Sequence, residues 1–187
     1  ATALDAPKTG SFGGDQQRDI DSVRLQNRTT VEIGDAKWDI GAFYNHKSLF
    51  HPIYQVVDQV SDDKGAFTRL NWQSGPVELT LGGEIRVGSV DSKRFVNVNG
   101  TRGSLTFMAD QSARTANIYG EIRYTAIKGL SLIAGGIYAD GFRQQHQTYN
   151  MGISDVTARA EFSEFSPKFG ILFEPSDRIQ IYANYSR

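Results

Sequence analysis

Val77-Glu78-Leu79-Thr80-Leu81-Gly82-Gly83-Glu84-Ile85-Arg86-Val87 is the stretch from which the rest of the chain is read. Val77, Leu79, Leu81, Gly83, Ile85 and Val87 share one parity, and Glu78, Thr80, Gly82, Glu84 and Arg86 the other. Successive side chains of a strand point to opposite faces, so this segment has one apolar and one charged face. The pattern returns near the end of the chain, where Ile179, Ile181, Ala183 and Tyr185 oppose Arg178, Gln180, Tyr182 and Asn184. It returns again where Ile118, Gly120, Ile122 and Tyr124 oppose Asn117, Tyr119, Glu121 and Arg123. Weaker copies lie at 38–44, 66–72, 130–138 and 169–173, and Asn27 and Thr29 interrupt a further one at 23–33. Roughly eight strands follow, over about residues 20–33, 37–49, 64–73, 77–89, 114–126, 130–145, 161–174 and 178–187.

The connections alternate in length. Gly34-Asp35-Ala36, Gln73-Ser74-Gly75-Pro76, Ala126-Ile127-Lys128-Gly129 and Pro175-Ser176-Asp177 are short and rich in residues that close tight turns. Between them lie polar stretches at about 50–63, 89–113 and 145–161, which read as long loops, and residues 1–19 read as another. Loops of that length count against strands in a compact soluble domain. Short turns on one side and long loops on the other suit an outer-membrane barrel. The expected fold is therefore all-β: a segment of an antiparallel, up-and-down transmembrane β-barrel.

Composition agrees. The chain has 187 residues, with 20 Lys+Arg against 21 Asp+Glu and a formal net charge of −1. A nucleic-acid binder would carry a basic excess, so no nucleic-acid partner is expected. No run approaches the roughly 18 apolar residues of a spanning helix, whereas a barrel strand need be apolar on one face only. The absence of cysteine removes disulfide, thiolate-metal and cysteine-nucleophile chemistry. Residues 1–20 lack the basic start and apolar core of a signal peptide.

Aromatic placement is an independent signal. Trp38 follows a short turn, Trp72, Tyr124 and Phe173 precede one, and all four occupy the apolar register. They are expected to form a ring at a membrane interface. A soluble sandwich also alternates and also uses Trp and Tyr. Against it stand Arg69, Glu84, Arg86, Glu121 and Arg123, which suit a wet lumen better than a packed sheet. With short turns facing the periplasm, both chain ends fall on the long-loop side, and the chain is expected to be a piece of a larger barrel. A small, non-transporting eight-stranded barrel is the alternative.

Phe165-Ser166-Pro167-Lys168-Phe169-Gly170-Ile171-Leu172-Phe173-Glu174-Pro175 and Ile179-Gln180-Ile181-Tyr182-Ala183-Asn184-Tyr185-Ser186 resemble the mid-barrel hairpin of TonB-dependent outer-membrane receptors. Leu79–Arg86 and Leu130–Tyr138 look like the same family, and Gly41–Ile53 is similar to receptors of the ferric-citrate type. The resemblance implies a barrel of about 22 strands enclosing a plug, in the bacterial outer membrane. It also implies import of an iron chelate such as a ferric siderophore or ferric citrate, energised through the TonB–ExbB–ExbD complex by way of the plug. A cofactor, a saccharide or cobalamin is the alternative cargo. Residues 1–187 include no stretch that reads as a plug, a TonB-contacting box or a closing strand.

Nothing reads as an enzyme: H-E-x-x-H, G-x-S-x-G and any Gly-Lys pair are missing. Gly10, Gly13 and Gly14 read as flexible loop. His46, His51 and His146 have no spacing that forces convergence, and Asp58, Asp62 and Asp63 lack the spacing of a calcium loop, so neither a metal site nor a cofactor is expected. For an anionic chelate, the candidate ligand-binding residues on the extracellular loops are Lys93, Arg94, Arg102 and Arg143, with Tyr149. Arginine offers planar, paired donors to carboxylate or catecholate oxygens.

Overall fold

A computed structural model describes residues 16–153, 155–176 and 178–187. The loop expected over 1–19 lies outside the described residues as far as residue 15, and Asp19 already belongs to a strand. Eight strands follow one another: β1 (Asp19–Ile33), β2 (Ala36–Pro52), β3 (Gln55–Ser74), β4 (Val77–Val98), β5 (Thr101–Ile127), β6 (Leu130–Asn150), β7 (Val156–Ser176) and β8 (Ile179–Ser186). They form one sheet in sequence order, every neighbouring pair antiparallel. The edges of β1 and β8 do not pair with each other, so these strands do not close a barrel by themselves.

A single sheet has no second layer to pack against, which removes the soluble sandwich. Among the described residues only Leu49, Val56 and Ala109 form a buried apolar core, while Ile118 is 69% and Phe169 56% exposed. Cross-strand pairing joins the apolar parities into one continuous face. One row runs Trp38–Leu70–Leu81–Gly120–Gly136–Pro167. Its neighbour on the opposite face runs Asp39–Arg69–Gly82–Tyr119–Ile137–Ser166. Trp38, Trp72, Tyr124 and Phe173 all lie exposed on the apolar face near the short-turn end, and Trp38 Nε1 donates to Thr68 Oγ1 at 2.7 Å. From Val77 to Val87 the apolar parity of β4 covers ten steps, about 33 Å of strand, or about 25 Å of height at the usual tilt. That height is the thickness of a lipid-facing band.

The long loops expected at 50–63, 89–113 and 145–161 are instead mostly strand. β4 and β5 continue far above the band and meet at Asn99-Gly100, with φ of 51° and 89°. Asn-Gly with both φ positive is the turn whose twist matches a hairpin. The other two hairpins turn after Pro52 and after Asn150. Above the band both faces meet water, so nothing selects alternation there while the backbone ladder still satisfies the peptide groups.

The polar face is laced by cross-strand pairs. Arg28 Nη2 donates to Asp39 Oδ2 at 2.7 Å, and Thr30 donates to the same carboxylate. Lys168 Nζ on β7 reaches over β6 to Glu121 Oε2 on β5 at 2.5 Å. Gly135 lies between them, and a Cβ there would sit 2.5 Å from the Gly120 carbonyl oxygen, so glycine leaves the gap that the ion pair spans. Tyr119 lies across Gly82 in the same way.

Candidate functional site

The most developed site is a recess on the polar face, level with the upper limit of the apolar band. Its row is Asn45–Asp63–Gly88–Ala113–Arg143–Ala160. The row below runs Phe43–Gly65–Arg86–Thr115–Gly141–Phe162. Gly88 and Ala113 carry little or no side chain, so the wall is thin between the longer side chains that flank them. Asp63, Glu84, Arg86, Thr115, Asn117 and Arg143 surround the resulting cavity of about 390 Å³. It continues upward into a second cavity of about 520 Å³, with Gln111, Gln145 and Ala160 on its walls and Arg143 shared between the two.

The charges around the recess are unequal. On the β3–β4 side, Arg86 Nη2 donates to Asp63 Oδ2 at 2.6 Å, and its guanidinium lies 5.9 Å from the Phe43 ring. Glu84 stands beside this pair without an ion-pair partner among the described residues. On the β6 side Arg143 is exposed and likewise without an ion-pair partner among the described residues. Gln111 Nε2 donates to Gln145 Oε1 at 2.8 Å, which fixes two of the amides that line the upper cavity. The arrangement offers a guanidinium, amides, a hydroxyl and a carboxylate to a small, oxygen-rich solute, and among the described residues no cluster of metal-binding side chains accompanies it.

Of the five residues expected to bind ligand, none lies on a loop. All are strand residues, because the polar segments that hold them are hairpin arms. Lys93 and Tyr149 lie along one row, Asp58–Lys93–Met108–Tyr149, to which Arg102 is tied through Asp58, whereas Arg143 stands apart. Only Arg143 lines the recess. Arg94 stacks 5.1 Å from the Phe107 ring, Lys93 pairs with Asp91 at 3.4 Å, and Arg102 donates to Asp58 at 2.7 Å and lies 4.7 Å from the Phe50 ring. Tyr149 pairs with Met108 on the neighbouring strand. The lumenal parity of Glu84 and Arg86 is legible in the sequence, but Asp63, Thr115 and Asn117 join them only through the register of two strand pairs.

The histidines are separated. His46 Nδ1 lies 3.0 Å from Asp62 Oδ1, and His51 Nδ1 lies 2.7 Å from the Gln17 carbonyl. His146 Nε2 lies 2.9 Å from Asp155. At the upper edge of the apolar band the Tyr44 hydroxyl donates to Oδ1 of Asp62, which lies one row above it, at 2.5 Å. That bond, helped by His46 and opposed by partial burial, holds the Asp62 carboxyl below the ordinary carboxylate range.

Residues 2–187 match the family described as TonB dependent receptor-like, β-barrel. Solved structures of similar fold include the alcaligin outer-membrane receptor FauA of Bordetella pertussis, with a TM-score of 0.75 and 15% identity over 91% of this chain and 29% of that one. The open form of the ferric-catecholate import receptor Fiu of E. coli K12 gives 0.69 and 12%, over 94% of this chain and 36% of that one. The unliganded ferric citrate transporter FecA gives 0.68 and 14%, over 90% of this chain and 27% of that one. At such identities the likeness is one of fold, and the chain spans roughly a third or less of those receptors' lengths. No curated protein sequence matches it.

Proposed function

The chain belongs to the TonB-dependent receptor β-barrel family, a family of outer-membrane transporters and receptors, and on that premise we propose that it is the part of an importer that receives a small ferric chelate in the recess around Arg143. The observation that carries this reading is the recess itself. It opens on the polar, lumenal face at the outer limit of the lipid-facing band, where an incoming solute first meets the barrel wall. Arg143 and Thr115 offer donors suited to the carboxylate, hydroxamate or catecholate oxygens of iron chelates. Similar folds carry alcaligin, ferric catecholate and ferric citrate by the names of the receptors they belong to.

In this reading the rest of the barrel closes against the open edges of β1 and β8, and a plug inside it takes energy from TonB with ExbB and ExbD. Lys93, Arg94, Arg102 and Tyr149 belong to the projecting hairpins and shape the approach, while Arg143 contacts the ligand. Trp38, Trp72, Tyr124 and Phe173 anchor the periplasmic edge of the band among lipid headgroups.

A strain deleted for the gene, grown under iron limitation on ferric citrate, a ferric trihydroxamate or a ferric catecholate as the only iron source, tests the reading. Loss of growth on one source, restored by the gene and not by its Arg143→Ala variant, is the expected outcome. Undiminished growth on every source overturns iron import.

A further inference from the structure

The two unpaired charges of the recess have opposite signs and stand on opposite sides of it. Glu84 projects from β4, one row below the Asp63–Arg86 pair's guanidinium, and Arg143 projects from β6, one row above it. β4 and β6 are separated by β5, so the two Cα positions are about 10 Å apart across the sheet and about 13 Å apart along it. Between them the floor is Gly88, Ala113 and Thr115, which hold no charge. Asp63 is already answered by Arg86 at 2.6 Å. The β3–β4 side is therefore left with one net negative charge and the β6 side with one net positive charge.

A ligand that is anionic throughout satisfies Arg143 and is repelled by Glu84, whose carboxylate faces the same recess. A ligand that carries an anionic group at one end and an ammonium group at the other satisfies both. We infer that the recess selects zwitterionic chelates: ferric complexes with carboxylate or other anionic oxygens toward Arg143 and a primary ammonium toward Glu84. This rests on the import reading above and narrows its substrate class. It also gives Glu84 a role as a specificity-determining residue.

Isothermal titration of the whole encoded receptor in detergent micelles tests the inference with three ferric probes. They are ferric citrate, the ferric complex of the citrate mono-amide of 1,2-diaminoethane, and the N-acetylated form of that complex. The amine probe is expected to bind about tenfold more tightly than its acetylated form, in line with one charge-assisted contact. Glu84→Gln should erase that ratio and strengthen ferric citrate, whereas Arg143→Gln should weaken all three probes. Glu32→Gln, which removes the same charge from β1 at the short-turn end of the sheet, far from the recess, should leave the ratio intact.

Equal binding of the amine and acetylated probes, or a ratio that survives Glu84→Gln, overturns zwitterion selection while leaving iron import standing. Absence of binding by all three probes overturns the inference as well, and the iron-limited growth assay then decides separately whether import falls with it.

Discussion

Replacing Leu81 with arginine puts a charge into the middle of the lipid-facing band. Leu81 is four steps from Val77 and six from Val87 on the apolar parity of β4, and 44% of it is exposed. At the usual rise and tilt it lies about 10 Å from the short-turn edge of a band about 25 Å tall. Arginine near the midplane of such a band costs about 2–4 kcal/mol. Ser166 is the matched control, because its neighbour Pro167 shares a row with Leu81 and Ser166 itself faces the lumen at nearly the same depth. It borders a hollow of about 280 Å³ together with Tyr119, Glu121 and Lys168, so a long cationic side chain has room there and an acid in reach. Ser166→Arg should cost no more than about 0.5 kcal/mol. The two variants should then differ by roughly 10-fold to 800-fold in the folding equilibrium. Urea titration of the whole encoded protein folded into phosphatidylcholine vesicles, read by tryptophan fluorescence and by heat-shifted gel mobility, measures both. A Ser166→Arg cost equal to that of Leu81→Arg, or a negligible cost at both positions, would refute the assignment of the two faces.

Three further outcomes follow from the same geometry. Gly82→Ala drives a methyl group into the Tyr119 ring and to 2.8 Å from the Thr68 carbonyl oxygen, and should cost about 1–3 kcal/mol in the same titration, part of it recovered in a double variant with Tyr119→Ala. Because Asp62 is held low, its bond to Tyr44 stabilises the fold above the unfolded carboxyl pKa of about 4 and is lost as pH falls through the depressed folded value. The stability difference between wild type and Tyr44→Phe should thus shrink below about pH 4, and a difference that stays constant from pH 7 into acid would contradict the bond. Lastly, the fluorescence lost in Trp38→Phe and Trp72→Phe should be quenched more by lipids brominated near the headgroup than by lipids brominated at the chain end, and the reverse order would place these residues away from the interface.

Within the membrane band the sequence determined nearly everything by itself. Each face there meets a different medium, so Val77–Val87 had to alternate, and the parity of Glu84 and Arg86 already assigned them to the lumen. Gly34, Gly75 and Gly129, all with positive φ, mark three of the tight turns through chemistry confined to a few neighbouring residues. The hairpins above the band were legible only in part. Asn99-Gly100 is a strong local turn signal, but the arms around it meet water on both sides, and without contrast between the faces the alternation that identifies a strand fades.

The recess was not legible. Asp63, Arg86, Thr115 and Arg143 come from β3, β4, β5 and β6, far apart in the chain, and what brings them together is the register of three antiparallel pairings. Shifting any one of those pairings by a single residue would turn that strand's side chains to the lipid. The same dependence on pairing set Arg143 apart from the other residues that charge alone suggested as a ligand site. Tertiary structure occupies Arg102 with Asp58 and Phe50, turns Lys93 toward Asp91, and leaves Arg143 facing an open cavity. Side-chain parity is a property of one strand and can be read along it, whereas which charges neutralise one another is decided across strands, by hydrogen-bonded partners that local sequence does not specify.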